Sequence, residues 1–362
     1  MKISLKHSRS GIALIMVMLV IVVLSILAAG FAYTMKVETK LARNASVETD
    51  MEWLGRSGVE LARYILAQEG LVPGGGQIDS LKQFWAGGPG DTNGLFAAMS
   101  FPWRLGVGEI DRPKIIDCDR KFNINKVNPL DPAPLRQALT LMGVDAGSFP
   151  TVVDSILDWS KPMGMGPRPA GARSETYQRM NPPYFCKDGP FDDMSELLLV
   201  NGITPEMYWG SAAMGHSAML NKPKASRSRF EEPVYPIGLV DLFTTTSSGL
   251  ININTASASV FEILGIPEPD ANAIINGPGG RAGPDGVEGT DDDMPFRSVQ
   301  ELQRVGTIPP PLLQGLMPYC TVRSLMFEVQ VTVRAGGATR TYVALLRRAS
   351  PRDIQVMSMY WK

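Results

Sequence analysis

Residues 9–16 read Arg9-Ser10-Gly11-Ile12-Ala13-Leu14-Ile15-Met16, and no charged side chain follows Arg9 until Lys36. Ile12 to Met35 is therefore an unbroken uncharged run, about 36 Å long at the helical rise, which is enough to cross a ~30 Å hydrocarbon core. Lys2, Lys6 and Arg9 precede it, whereas Lys36, Glu38, Lys40, Arg43, Glu48 and Asp50 behind it mix both signs. This asymmetry predicts a cytoplasmic amino-terminal end and an exported bulk.

Three readings compete, and they differ in where the chain is cut. A secretory signal has an apolar stretch of about 7–15 residues before a small-x-small site; here the run is longer, and Leu27-Ala28-Ala29 is poor at its first position. A simple anchor is not cut. A prepilin-type leader is a short basic peptide ending in Gly, cut on the cytoplasmic side ahead of the apolar stretch, and Gly11 before Ile12 has that layout. Downstream, Val37, Leu41, Ala45, Met51, Leu54, Gly58, Leu61, Ala62, Ile65 and Leu66 recur at mostly three- and four-residue steps. That periodicity predicts one helix from Ile12 to Gln68, roughly 85 Å long, half in lipid and half packed by one stripe on a globular head. The competing layout is an anchor followed by a separate amphipathic helix.

The leader and stem resemble those of type IV pilin-like proteins, and in detail the minor pseudopilin K family of the type II secretion system. The resemblance implies cleavage after Gly11 by prepilin peptidase and N-methylation of Ile12. Most pilin-like subunits carry Glu at the fifth mature position, whereas here Met16 stands there. That carboxylate is thought to neutralise a neighbour's terminal ammonium, and a lone charge in the bilayer costs at least ~2.5–3.5 kcal/mol. An apolar residue suits a subunit at the filament tip, with no neighbour above it, and the K family shares this gap. The implied setting is a single pass through the bacterial inner membrane with the bulk in the periplasm. The implied partners are minor pseudopilins I and J, other pseudopilus subunits and exported proteins.

The remaining sequence carries α+β character. Arg104 to Asp111 and Lys114 to Asp117 read as two strands. Met326 to Arg334, Thr339 to Arg347 and Ile354 to Trp361 read as three more, the first two joined at Gly336-Gly337. Between these groups, Asn123-Ile124-Asn125 leads through Asp158-Trp159 to Pro190-Phe191 and Ser195-Glu196-Leu197. Asn252-Ile253-Asn254 leads likewise to Pro295-Phe296 and Ser298-Val299-Gln300-Glu301-Leu302. We read a duplicated helical unit interrupting an antiparallel sheet, an arrangement similar to the paired SAM-like segments of the K family. The expected organisation is a leader at 1–11, the transmembrane half of the stem at 12–35, and its amphipathic half with the first strands at 36–122. Helical units follow at 123–235 and 236–322, and closing strands at 323–362.

Asn252 to Ile275 also resembles the helix-hairpin-helix of membrane-anchored DNA receptors, the main alternative from another class. Such a hairpin holds phosphate on backbone N–H groups of a Gly-x-Gly turn. Here the turn is Gly265-Ile266-Pro267-Glu268; proline has no N–H, and Glu268 and Asp270 repel a phosphate. With 35 Lys+Arg against 36 Asp+Glu, the chain also lacks a global attraction for nucleic acid. A minor pilin of a type IV pilus is the alternative within the same class.

Two loops are candidate Ca²⁺ sites. Asp285, Glu288, Asp291, Asp292 and Asp293 place five carboxylates within nine residues, with the oxygen donors that Ca²⁺ prefers but without EF-hand spacing. The competing reading is a solvated acidic loop. The K family binds calcium in its helical domain, and its Asp-Trp-Ile-Asp and Gly-Ala-Glu motifs correspond to Asp158-Trp159-Ser160-Lys161 and Gly171-Ala172-Arg173. Both second carboxylates are cations here, leaving Asp158 with Glu175 and Asp188 as substitutes.

Enzyme signatures are missing: there is no Gly-x-Ser-x-Gly elbow, phosphate-binding loop or His-Glu-x-x-His, and the two histidines, His7 and His216, have no partner in sequence. Cys118, Cys186 and Cys320 are too dispersed for a metal knuckle and allow at most one internal disulfide.

Overall fold

The computed structural model describes residues 10–71, 76–90, 101–106, 108–161, 166–212, 235–306 and 308–362. Leader residues 1–9, His216 and part of the Gly/Pro-rich loops at 70–94 and 162–171 lie outside these. Helix α1 runs unbroken from Ser10 to Glu69, about 90 Å at the helical rise, so the anchor and the amphipathic segment are one helix.

The carboxy-terminal half of α1 lies on an antiparallel sheet. Its strands are β1 (Trp103–Leu105), β2 (Gly108–Ile110) and β3 (Lys114–Asp117), followed after the insertion by three long strands. The region expected as one strand, Arg104 to Asp111, is instead a tight hairpin, with Trp103 opposite Ile110 and Leu105 opposite Gly108. Gly106 takes φ +57°, a left-handed conformation that glycine adopts without strain and that reverses the chain there.

Within the insertion come β4 (Phe122–Asn123), α2 (Ala133–Met142), α3 (Phe149–Trp159), α4 (Ser174–Tyr177) and α5 (Pro205–Trp209). The second unit has α6 (Leu239–Leu242), β5 (Phe243–Thr244), β6 (Ile251–Asn252), α7 (Ala258–Ile263), α8 (Glu268–Asn276), α9 (Pro310–Leu316) and β7 (Cys320–Thr321). The chain returns to the sheet as β8 (Met326–Ala335), β9 (Ala338–Ser350) and β10 (Asp353–Trp361). The sheet order is β1-β2-β8-β9-β10, and β3 also pairs with β8 beyond the end of β2.

Strict alternation along β8 turns Phe327, Val329, Val331 and Val333 to the core. They pack against Met51, Leu54, Leu61, Ala62, Ile65 and Leu66 of α1. Two glycines let the helix approach closely: a Cβ on Gly55 would meet the Tyr342 ring at 2.4 Å, and one on Gly58 would meet Val331 at 2.3 Å. The sheet's reach sets where the stripe begins. The β8–β9 turn ends with Gly336 against Val47. Val37, Leu41 and Ala45, expected in the packed stripe, therefore lie beyond the sheet and are exposed.

The two helical units share one core that is separate from that of the sheet. It runs from Phe122 through Leu139, Ile156, Tyr177, Leu242, Phe261 and Phe296 to Cys320. Parallel pairing of β4 with β5, Phe122 opposite Phe243, brings the entrance of the first unit against the second. The insertion is one interlocked helical body bounded by Phe122 and Cys320, its two halves joined through apolar contacts.

Candidate functional site

From Ile12 to Val37 every side chain of α1 is exposed; Ile12 and Met16 are each 64% exposed. The segment holds an 18-residue window of mean hydropathy 3.2, long and apolar enough to cross a membrane. An apolar surface of this size without protein cover belongs in lipid or against other apolar helices.

Repeated sequence becomes repeated geometry in the head. In the first unit, Asn125 Nδ2 donates to Phe191 O at 2.9 Å and its Oδ1 accepts from Phe191 N at 2.8 Å. In the second, Asn254 makes the same pair of bonds with Phe296, both at 2.8 Å. In each unit the preceding asparagine, Asn123 or Asn252, accepts from the N–H two residues on. The Asn-Ile-Asn and Pro-Phe motifs are thus the two halves of a clasp that closes each unit.

The insertion meets the antiparallel sheet at a buried polar junction that was not foreseen. Asp117, at the end of β3, is 3% exposed, and its Oδ2 accepts from Thr255 Oγ1 at 2.5 Å, Ser324 Oγ at 2.6 Å and Asn252 Nδ2 at 3.2 Å. Asp79, from the segment after the stem, pairs with Arg348 of β9 and accepts from Ser324 N at 2.8 Å. Asp119 accepts from Ser248 N and Leu325 N. Burial, reinforced by the charge of Asp119, pushes the Asp117 carboxyl up to about 7 against the pull of its hydroxyl donors. Burial likewise raises Asp119, and it raises Glu69 at the end of the stem. The available clue was Asp117-Cys118-Asp119 directly after the apolar Ile115-Ile116.

Three acidic side chains of the 285–293 loop, Asp285, Asp292 and Asp293, are directed to its own backbone. Asp285 Oδ1 accepts from Val287 N, Asp293 Oδ2 from Gly289 N, and Asp292 from Asp285 N and Thr290 Oγ1. Glu288 pairs with the buried guanidinium of Arg281 at 2.6 Å, and that guanidinium also donates to Ile253 O and Ala256 O. Lys82 reaches the Asp291 carbonyl at 2.5 Å. Among the described residues no three His, Cys, Asp or Glu side chains gather as a metal would need, so the loop as folded closes through hydrogen bonds and basic side chains.

In the first unit Asp158 is fully buried. Its Oδ2 accepts from Arg168 N at 2.8 Å, and its Oδ1 lies 3.5 Å from Lys161 Nζ. Asp188 pairs with Arg173, and Glu175 lies exposed on the first turn of α4. The structure does not bring the three carboxylates together, and the residues around Asp158 and Asp188 are cations. This donor set does not fit Ca²⁺.

The hairpin of α7 and α8 forms as expected, with Gly265 at φ +88°. Gly265 N donates to Glu262 O and Ile266 N to Phe261 O, so both turn N–H groups are spent within the hairpin, and Glu268 and Asp270 occupy the first turn of α8. Val260, Phe261, Ile263 and Ile274 are buried in the common core, which makes the hairpin a packing element. Cys118, Cys186 and Cys320 are buried free thiols. Burial pushes Cys118 and Cys320 up to about 12, far from nucleophilic.

Comparison with known proteins agrees with this architecture. Residues 120–210, the first unit, match the family model for type II secretion system (T2SS), protein K. The chain is 23% identical over 370 residues to the type II secretion system protein K of Pseudomonas aeruginosa, covering 98% of this chain and 93% of that one. Its fold is similar to a chain in the crystal structure of the GspK-GspI-GspJ complex from the enterotoxigenic Escherichia coli type 2 secretion system. That likeness has a TM-score of 0.61 at 16% identity and covers 89% of this chain and 99% of that chain. With the apolar stem, the antiparallel sheet and the duplicated helical insertion in place, the chain is similar over nearly its whole length to protein K of the type II secretion system.

Proposed function

We propose that this protein is a minor pseudopilin that caps the tip of the pseudopilus and helps to start its assembly. The supporting observation is the stem: 60 residues of continuous helix whose exposed apolar half carries Met16 in place of an acid. In this reading prepilin peptidase cuts after Gly11, and Ile12 becomes the methylated first residue. The stem is held in the inner membrane and the head lies in the periplasm. A subunit with Met16 in place of a carboxylate has nothing to neutralise the terminal ammonium of a subunit above it, so it takes the end position, where there is none. The I and J proteins seen with the structural relative are the companions we propose for the stem and sheet.

The duplicated helical body favours this assignment over a type IV pilus minor pilin. The hairpin, with its turn N–H groups already bonded and acids on its helix start, favours packing over DNA binding. Intact mass and amino-terminal sequencing of the membrane-extracted protein, with and without co-expressed prepilin peptidase, test the reading. The expected product begins at methylated Ile12 and co-purifies with I and J. An uncut chain, or one beginning at Gly30, would overturn it.

A further inference from the structure

The first unit arranges acids and bases in alternation around one buried carboxylate. Asp158 is fully buried at the end of α3, and the chain from 166 to 171 wraps against it so closely that a Cβ on Gly171 would stand 2.0 Å from its Oδ2. Arg168 N donates to that oxygen, and Ala170 N donates to Asp154 Oδ2 one helical turn earlier. The carboxylates of α3 thus serve as acceptors for the backbone of a Gly/Pro-rich loop. Their charge needs compensation, because an unpaired buried carboxylate is costly.

Each carboxylate has its own cation. Lys161 Nζ stands 3.5 Å from Asp158 Oδ1, Arg168 Nη1 3.7 Å from Asp154 Oδ1, and the Arg173 guanidinium contacts Asp188, with both side chains of that pair largely buried. Arg168 also donates to Pro129 O at 2.5 Å. Asp188 itself sits at φ +54°, outside the usual range for a non-glycine residue.

We propose that Lys161, Arg168 and Arg173 stand in for a divalent cation in this unit, so that loop 166–190 orders without metal. A divalent ion at Asp158 would sit within a few ångströms of Lys161, and the carboxylate one turn earlier, Asp154, is already bonded to Ala170 N and paired with Arg168. The basic side chains have the further advantage of being tethered: the charge arrives with the chain and is insensitive to the surrounding Ca²⁺ concentration.

Hydrogen–deuterium exchange on the full chain in detergent, read on peptides covering 166–190, tests this residue by residue, so metal bound elsewhere does not confuse the result. Protection there is expected to agree within twofold in EDTA and in millimolar CaCl₂. Exchange at least tenfold faster in EDTA would overturn the proposal. Arg173→Met is expected to speed exchange in the same peptides at least tenfold with or without CaCl₂, and unchanged protection in that variant would overturn it equally.

Discussion

Ser324 Oγ donates to the Asp117 carboxylate at 2.6 Å across 207 residues of sequence, joining the end of β3 to the segment that re-enters the sheet as β8. Thr255 and Asn252 from the second helical unit converge on the same oxygen, and Asp79 with its partner Arg348 completes the junction. The point at which the insertion leaves the sheet is therefore also the point at which it returns. One buried network there sets how the helical body is held on the stem-and-sheet framework.

The junction makes stability depend on pH. Asp117 is raised to about 7 by burial and then by Asp119, above its unfolded value near 3.9. The fold thus prefers the protonated acid, and this contribution is full below about pH 4 and lost as pH rises to about 7. Asp119 and Glu69 shift in the same direction. Thermal melts from pH 4 to pH 8 should show the Tm contribution of this site falling through that window. Asp117→Asn should flatten the slope, and an unchanged slope would show that the junction does not titrate.

The two asparagine clasps share their geometry but not their burial. Asn254 is 1% exposed, whereas Asn125 lies at the surface. Asn254→Ala leaves the Phe296 N–H and C=O unpartnered in a dry site and should cost about 2–4 kcal/mol. Asn125→Ala, at an exposed side chain, should cost about 1 kcal/mol. Chemical denaturation of both variants measures the difference; equal losses would mean that the clasp energy does not depend on burial.

Close packing of stem on sheet rests on two glycines. Gly58→Leu drives a side chain into Val331 and Ile110, where a Cβ alone already stands 2.3 Å from the former. Overpacking of this kind typically costs about 1–3 kcal/mol. A lower Tm together with faster proteolysis at the stem–sheet boundary is the expected outcome; a wild-type profile would mean that the helix can shift along the sheet without loss.

Processing after Gly11 has a simple genetic test. Gly11→Val places a β-branched side chain at the proposed cut and should leave an uncleaved chain, visible as a larger intact mass, still membrane-bound through Ile12 to Met35. Normal maturation of this variant would move the cut elsewhere.

Arg281 is 4% exposed and holds Ile253 O, Ala256 O and Glu288 at once. Arg281→Met fills much of its volume but strands two buried carbonyls, and should lower stability by about 3–5 kcal/mol, the scale seen on breaking a buried pair. The same denaturation assay reads it, and a loss below about 1 kcal/mol would assign the loop's order to its own backbone bonds.

The stem, the strand alternation and the duplicated motif were legible in the linear chain because each is a local pattern. An uncharged run, a three- and four-residue period and a two-residue alternation all follow from backbone geometry, whatever the chain packs against. The pairing of Asn-Ile-Asn with Pro-Phe could be suspected because it occurs twice. Tertiary structure alone decided the rest. It ended the packed stripe at Val47, merged the two units into one core, and gave Asp158, Asp188 and Glu288 a cation each. It also brought Asp79 to Arg348 across 269 residues. The physical reason is the same throughout: desolvation and charge pairing act through space, and the partner that neutralises a buried carboxylate leaves no periodic trace in the sequence around it.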